Sequence, residues 1–291
     1  MDSLCYACAM KSGFAVLIGR SNVGKSTLLN TLVGTKIAAV THKPQTTRNA
    51  IHGVRNLPNA QIVFVDTPGL FKSSGGALAK ALTRTVEHSL EGIDMILYVV
   101  DPTRSIGAEE RALLSMIAPI KQKKVLIINK IDESEKPYME DYRELADQFD
   151  VVFELSALKA RHIVPLLEFM EENLPEGQPM YDDTQKTNIT DVFWVQELIR
   201  EKIFMGMGEE VPYSTTVEVD NIEDKGDVIV ISARILTTEE RYKKMLIGVG
   251  GRKIKELGQA ARKELTAALN KKIYLDLQVD VDRHWVRRLT D

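Results

Sequence analysis

Eight consecutive residues, Gly19-Arg20-Ser21-Asn22-Val23-Gly24-Lys25-Ser26, place two glycines, a lysine and a hydroxyl at the spacing that holds phosphates. Glycines let a loop curl until its amide N–H groups point inward, lysine adds a full charge, and a serine hydroxyl suits a hard divalent cation. The loop lies between an apolar run at 14–18 and an amphipathic stretch at 25–33. It should therefore join a strand to a helix and turn a helix N-terminus toward the anion. Lys25 would bridge the β- and γ-phosphates of a nucleotide, Ser26 would ligate Mg2+, and Thr27 would carry the cradle into the helix. A glycine-rich structural turn is the alternative, and the flanking strand and helix argue against it.

Asp66-Thr67-Pro68-Gly69 follows an apolar run at 62–65, which puts Asp66 at a strand end. There it can hold Mg2+ through water, and the Gly69 amide can sense the third phosphate. Asn129-Lys130-Ile131-Asp132 follows the run at 125–128. A carboxylate such as Asp132 can accept both the ring N–H and the exocyclic amine of guanine, a donor pair adenine lacks. Asn129 can tether neighbouring loops, and the Lys130 stem can cover the base. Ser156-Ala157 follows the run at 151–154, where a backbone N–H can reach the guanine oxygen. Between the first helix and the next strand, the polar stretch Gln45-Thr46-Thr47-Arg48 offers a threonine to complete the Mg2+ shell. Spacing does not separate Thr46 from Thr47. Guanine nucleotides are the expected ligands, with Lys25, Thr46, Thr47 and Gly69 as the residues serving the reaction.

A second constellation lies near the other end. Gly248-Val249-Gly250-Gly251 separates two amphipathic stretches, and Arg252, Lys253 and Lys255 follow. Glycines there would admit a single-stranded phosphate backbone that side chains would obstruct. Residues 241–272 carry ten Lys or Arg against two Glu, net +8, whereas residues 193–291 carry 17 of each sign. A basic surface on a neutral region is the footprint of a polyanion site. A plain helix–helix turn with solvated lysines is the duller reading.

These residues need elements to hold them. Strands are expected at 14–18, 51–55, 62–65, 95–100, 125–128 and 151–154, and helices at 25–33, 77–90, 108–117, 138–148 and 164–173. That alternation predicts an α/β fold, a mostly parallel sheet with helices on both faces. The second half reads α-β-β-α-α-β, an α+β pattern. Its first helix carries Val192, Val195, Ile199 and Ile203 on one face, and its last has Ile254, Leu257, Ala261, Leu265 and Leu269 on one side. Its last strand alternates Ile273, Leu275, Leu277, Val279 and Val281 with polar residues, and a short helix is expected from Arg283. The predicted organisation is a tail at 1–11, a nucleotide domain at 12–175, a linker at 176–191 and an RNA-binding domain at 192–291.

Length and composition agree, since 291 residues with 44% apolar and 27% charged suit two globular domains. The net charge of −3 does not by itself indicate a polyanionic partner. No apolar run reaches the roughly 18 residues of a membrane span. The opening residues lack a signal-peptide pattern, so the expectation is cytoplasmic. Cys5 and Cys8 stand in C-x-x-C spacing without a second pair, which reads as part of a tail, with Met10 as an alternative start. The five histidines are scattered and suggest no catalytic constellation.

Taken together, the segments 19–26, 45–49, 66–69, 129–132 and 156–157 resemble the five G motifs of translation-factor-class GTPases. With the second half added, the chain from about residue 12 onward resembles the bacterial Era family, P-loop GTPases with a C-terminal type II KH domain. Ser21 stands where that family usually has proline, and Val249 and Gly250 stand where relatives often carry a lysine. The resemblance implies slow, Mg2+-dependent GTP hydrolysis and binding to the 3′ end of 16S ribosomal RNA during 30S subunit assembly. It also implies a monomer in peripheral contact with the inner membrane. Leu70 follows Gly69 where many GTPases place a water-orienting glutamine. The water must then be ordered by another group, a partner or a monovalent cation. Asn22 matches a cation ligand of potassium-dependent relatives, so K+ is an expected cofactor. An RNA-binding protein whose G domain binds GTP but does not hydrolyse it is the alternative function, and turnover separates the two. A branch with tandem G domains is disfavoured by the single motif set and the intact G-x-x-G.

Overall fold

The structure, a computed structural model, describes residues 10–285 apart from 42, 44, 45, 49, 70–83 and 209. The tail with Cys5 and Cys8, Gln45, Asn49, Leu70 and the first half of the helix expected at 77–90 therefore lie outside the described residues. By contacts the chain divides into two units, Met1–Ala38 with Thr47–Asn188, and Ala39–Thr46 with Ile189–Asp291.

The first unit is built on six strands: β1 Lys11–Ile18, β2 Ile51–Asn56, β3 Ala60–Asp66, β4 Met95–Val100, β5 Lys123–Ile128 and β6 Val151–Glu154. Their order is β2-β3-β1-β4-β5-β6, parallel throughout except for the short hairpin that makes β2 antiparallel to β3. β3 and β4 are buried along their whole length, which is why β4 and residues 62–65 of β3 read as continuous apolar runs rather than alternating ones. One face packs Val16, Ile18, Ile96, Tyr98, Leu126 and Ile128 against Leu113 and Ile117 of helix α2, Ala108–Ile117. The other face is buried as well, with α1, Lys25–Val33, sinking Leu28, Leu29 and Leu32.

After α1 the chain builds β2 and β3 on one side of β1, and β4 then enters on the other side. The carboxyl end of β1 is thus a topological switch point, where α/β sheets bind their ligands. Further helices of this unit are α3, Met139–Arg143, and α4, Ile163–Asn173, and within the helix expected at 77–90 the described residues 84–88 are helical. The helix expected at 138–148 is broken into α3 and a 3-10 turn at Ala146–Gln148. Hydrogen bonds there tighten to i→i+3, and Phe149 leaves extended to stack on Tyr98 with ring centroids 5.5 Å apart.

Residues 176–188, expected as part of a linker, are tied to the first unit. Gln61, fully buried, accepts the amides of Met180 and Tyr181 at 2.7 and 2.9 Å, and the Val54 amide donates to the Lys186 carbonyl at 2.8 Å. The strap uses backbone groups of edge strand β2 that would otherwise stay unpaired.

In the second unit, Thr190 caps α5, Asp191–Gly206, by accepting the Phe193 amide. The three-stranded sheet has order β7-β8-β9, with β7 Thr215–Asp224 antiparallel to β8 Val228–Thr237 and β8 parallel to β9 Lys272–Val281. The crossover to β9 is made by α6, Glu240–Ile247, and α7, Arg252–Leu269. α7 sinks Leu257, Ala261 and Leu265 into a core shared with Val195, Ile199 and Ile203 of α5. Val192 and Leu269, expected on the buried faces, are 41% and 38% exposed because they sit in terminal turns beyond the sheet. Residues 283–285 form a turn, with Trp285 buried and its indole N–H donating to the Ser214 carbonyl; anything beyond lies outside the described residues. No described helix is long and apolar enough to cross a membrane.

Candidate nucleotide site and nucleic-acid interface

Because β1, β3, β4, β5 and β6 run parallel, the segments that follow them come out on one edge of the sheet, and four of the nucleotide motifs lie in those segments; Thr46–Arg48 precede β2, whose first residue Ile51 pairs with Asp66 at the same edge. The phosphate loop turns through Asn22 at φ 66° and Gly24 at φ 99°, and α1 starts at Lys25. At Gly24 a side chain would be strained, and its Cβ would stand 2.3 Å from Asn129 Nδ2. Lys25 Nζ donates to the Gly19 and Arg20 carbonyls at 2.9 and 3.0 Å. Burial lowers its pKa to about 8, although Asp66 and Glu110 oppose the shift.

The Mg2+ expectations can now be separated. Ser26 Oγ donates to Asp66 Oδ2 at 2.6 Å and lies 3.0 Å from Thr47 Oγ1, which reaches the same carboxylate oxygen at 3.4 Å. Thr46 turns the other way. Its hydroxyl bonds to Thr41 and to the Lys43 carbonyl, and its own carbonyl accepts from Arg200 of α5, so the geometry does not bring it to the carboxylate. Asp66 is fully buried, its Oδ1 has no hydrogen-bond partner among the described residues, and burial raises its pKa while Lys25 and the Ser26 and Thr47 hydroxyls oppose. Two hydroxyls and a carboxylate with a spare oxygen form a donor set that fits a hard cation, which would favour the ionised form of Asp66.

Ser21 Oγ donates to the Gly69 carbonyl at 3.3 Å, and Thr67 anchors its strand end on the Leu17 carbonyl at 2.7 Å, with Pro68 between them. Asn129 joins two loops, giving Nδ2 to the Val23 carbonyl and accepting the Ala157 amide on Oδ1, each at 2.9 Å. The Ser156 amide donates to the Arg161 carbonyl at 3.2 Å. Both amides expected to reach a guanine oxygen thus have protein partners, because the turn after β6 closes on itself and on Asn129. The Ile131 amide reaches back to the Leu155 carbonyl at 3.3 Å. Asp132 Oδ1 is buried with no hydrogen-bond partner among the described residues, an acceptor fit for a donor.

Lys130, at φ 61°, is held by Asp101 Oδ2 at 2.6 Å, and Thr31 Oγ1 donates to the Ala157 carbonyl at 2.8 Å. The motifs alone point to neither partner. For Asp101 a signal exists in the sequence, since it directly follows an apolar strand as Asp66 closes one.

In the second unit the G-x-x-G segment forms an exposed turn between α6 and α7. Gly250 and Gly251 adopt φ 59° and 75°, and a Cβ at either would meet no protein atom within 4 Å. Conformation rather than crowding requires glycine there, and the space outside stays open. Val249 is 87% exposed. Gly248, at φ 72°, is crowded as well as left-handed, since a Cβ there would stand 2.7 Å from Lys253 Cβ. Lys253 also pairs with Glu256 at 3.1 Å, so it is less open than the exposed Arg252 and Lys255, which form no ion pair among the described residues. Arg241, Lys243 and Lys271 are likewise drawn into pairs with Glu239, Asp280 and Asp224. Beside the turn, a groove of about 330 Å³ runs between α7 and β9, walled by Ile254, Gly258, Leu275 and Leu277 and rimmed by Lys255 and Arg262. It explains why Leu275 and Leu277, expected inside, are only half-buried: they line the groove.

Residues 14–130 match the family model for 50S ribosome-binding GTPases, and residues 210–286 match that for the KH domain. GTPase Era of Caldicellulosiruptor saccharolyticus is 39% identical over 284 residues, 95% of this chain and 94% of its own. GTPase Era of Staphylococcus epidermidis is 38% identical over 280 residues, 94% of this chain and 93% of its own. Among solved structures, Era in complex with MgGDPNP and nucleotides 1506–1542 of 16S ribosomal RNA aligns with TM-score 0.89, 34% identity and 96% of each chain covered. A variant of Aquifex aeolicus Era bound to GDP and AlF4− aligns equally well, with TM-score 0.89 and 34% identity over 96% of each chain.

Proposed function

This chain belongs to the Era family of GTPases, and from that membership and the site geometry we infer that it is a GTP-hydrolysing, RNA-binding factor in small ribosomal subunit assembly. It binds GTP and GDP with Mg2+ at the carboxyl edge of the first sheet and converts GTP to GDP and phosphate. Its KH unit binds ribosomal RNA at the 3′ end of 16S, the ligand of the aligned Era complex.

The observation that carries the nucleotide reading is the meeting of Ser26, Thr47 and Asp66 beside the phosphate loop. In this reading Lys25 exchanges its two loop carbonyls for phosphate oxygens, and its charge balances theirs. Ser26, Thr47 and Asp66 would hold Mg2+, which when bound would supply charge neutralisation to the phosphates. Asn129 holds the phosphate loop to the base loop, Asp132 accepts the two guanine donors, and Lys130, steadied by Asp101, covers the ring. Leu70 has no hydrogen-bonding atom, so the attacking water is ordered by another group, and Asn22 with K+ is the candidate. Turnover compared in potassium and sodium salts tests that role.

On the RNA side, the Gly250-Gly251 turn receives the phosphate backbone, Arg252, Lys255 and Arg262 supply charge, and the α7–β9 groove takes bases. The decisive test is a competition titration of GTP against ATP, followed by a phosphate-release assay. Equal affinities would overturn the base assignment, and tight GTP binding without turnover would leave an RNA-binding protein with an inert G domain. The rest of the reading is a cytoplasmic monomer in peripheral contact with the inner membrane. Family membership supports it, and co-sedimentation with membrane vesicles together with light scattering tests it.

A further inference from the structure

Behind the phosphate loop lies a cluster of charged and phenolic groups that the nucleotide chemistry does not use. Glu110, in the first turn of α2, is fully buried. The Arg20 guanidinium lies beside it, with Nε 3.3 Å from Glu110 Oε2 and hydrogen-bonded at 3.0 Å to Glu109 Oε2. Arg20 Nη1 also donates to the Ser105 carbonyl at 3.0 Å, and Arg104 Nη1 donates to the Ser21 carbonyl at 2.8 Å. Arg20 and Ser21, at the head of the phosphate loop, are thus gripped from the α2 side. From the inner side, Lys25 Nζ bonds the Arg20 carbonyl. Neither carboxylate oxygen of Glu110 accepts a hydrogen bond among the described residues. A buried carboxylate without a donor is costly, and the Arg20 guanidinium is the largest of the groups that offset that cost. Buried ionisable groups of this kind cluster at functional sites more than in ordinary cores.

We propose that Glu110 is a positioning residue for the phosphate loop: its charge fixes the Arg20 guanidinium, and through it the Arg20–Ser21 backbone that receives the phosphates. The proposal rests on the GTP-binding reading above. It separates two tasks within one helix turn, since Glu109 anchors Arg20 by a hydrogen bond while Glu110 acts by charge alone. Charge alone makes the device sensitive to pH. Burial pushes the Glu110 carboxyl up to about 7, with Arg20, Tyr98, Arg104 and Lys25 pulling it back. The groups facing it are Arg20 of the loop, Lys25 of α1, Tyr98 of β4, Arg104 and Glu109 around the start of α2, and Tyr142 of α3. Of these, Lys25 titrates nearest, at about 8, with Asp66 and Glu110 both holding it up against burial, and it is retained in every variant below. The folded protein holds the Glu110 proton more tightly than an unfolded chain would. Its ionisation therefore lowers stability as pH rises from 4.5 to about 7. A residue kept for packing would not be expected to weaken the fold in its working state.

The test uses the full chain and fluorescent GDP with Mg2+, chased by excess GDP, in the parent, Glu110→Gln, Arg20→Gln and the double variant. Each is measured from about pH 6 to about pH 8, on both sides of the Glu110 transition. GDP should dissociate about tenfold faster from Glu110→Gln at about pH 8, the factor that one charge-assisted contact is worth. Arg20→Gln should match it, and the double variant should be no worse than either single one. Dissociation from the parent should accelerate as pH falls through about 7, while Glu110→Gln shows no such step. At about pH 8 the Tm of Glu110→Gln should be no lower than the parent's, because the ionised carboxylate destabilises the fold there. Additive effects, a parental pH step retained in Glu110→Gln, or faster dissociation accompanied by a lowered Tm would each overturn the proposal. Should Glu110→Gln fail to fold, Arg20→Gln and Arg20→Lys carry the same comparison, the lysine variant keeping the charge and so the pH step. A parent that bound no GDP would instead overturn the reading of the site itself.

Discussion

One carboxylate oxygen of Asp132 is buried without a hydrogen-bond partner among the described residues, and guanine brings a ring N–H and an exocyclic amine that together fit a carboxylate. Asp132→Asn replaces an acceptor pair by one donor and one acceptor, and the amide can pair with the extra carbonyl of xanthine. The expected outcome is a switch of preference from GTP to xanthosine triphosphate by about a hundredfold or more, read by competition titration. An unchanged preference for GTP would place base recognition elsewhere. The two threonines make a sharper pair. Thr47→Ala should weaken Mg2+-dependent GTP hydrolysis by about tenfold or more, because it removes an oxygen from the cluster on Asp66. Thr46→Ala should leave the Mg2+ dependence in place, since its hydroxyl faces Thr41 and Lys43. A Mg2+ titration of single-turnover rates distinguishes them, and a reversed order would assign the ligand to Thr46.

At the scale of elements, the turn between α6 and α7 is held open by backbone conformation. Gly250 and Gly251 both lie at positive φ, where an ordinary side chain costs about 1–2 kcal/mol. Changing both to aspartate adds two charges where phosphates would approach, and should abolish single-stranded RNA binding while GTP binding persists. Strain and charge are separated by the corresponding pair of asparagines, which tolerate this conformation and carry no charge. That control should keep measurable RNA binding in a fluorescence-anisotropy titration. If both pairs bind RNA as the parent does, the turn is not the contact. The groove makes the same point with apolar residues: Leu275 and Leu277 alternate correctly for a buried strand face, yet α7 leaves them half open.

For the whole molecule, each unit has its own apolar core, one around β1, β4 and β5 and one around α5, α7 and the three-stranded sheet. Calorimetry should therefore show two unfolding transitions. GTP with Mg2+ should raise only the transition of the first unit, by about 2.7 kcal/mol at a hundredfold excess over Kd. Leu265→Ala, emptying a fully buried position in the second unit, should lower the other by about 2–5 kcal/mol. A single transition moved by both changes would show that the units unfold as one.

Much of this was legible in the order of residues, for reasons that are local. A buried parallel strand must be apolar along its length, so β3, β4 and β5 announce themselves, and Asp66 and Asn129 stand at their ends because the motif and the strand are adjacent in the chain. Phosphate cradling, guanine recognition and the G-x-x-G turn are likewise properties of a few consecutive residues. What only the tertiary structure decided concerns residues far apart in sequence. Thr46 and Thr47 are neighbours, yet the Thr47 hydroxyl meets Asp66 whereas the Thr46 hydroxyl bonds Thr41 and the Lys43 carbonyl. Glu110 reaches Arg20 across ninety positions because β4 lies beside β1, and Gln61 captures Tyr181 across 120 because a polar strap runs past the β2 edge beside β3. Spacing along the chain fixes what a loop can bind, whereas the order of strands in the sheet fixes which distant side chains hold that loop in shape.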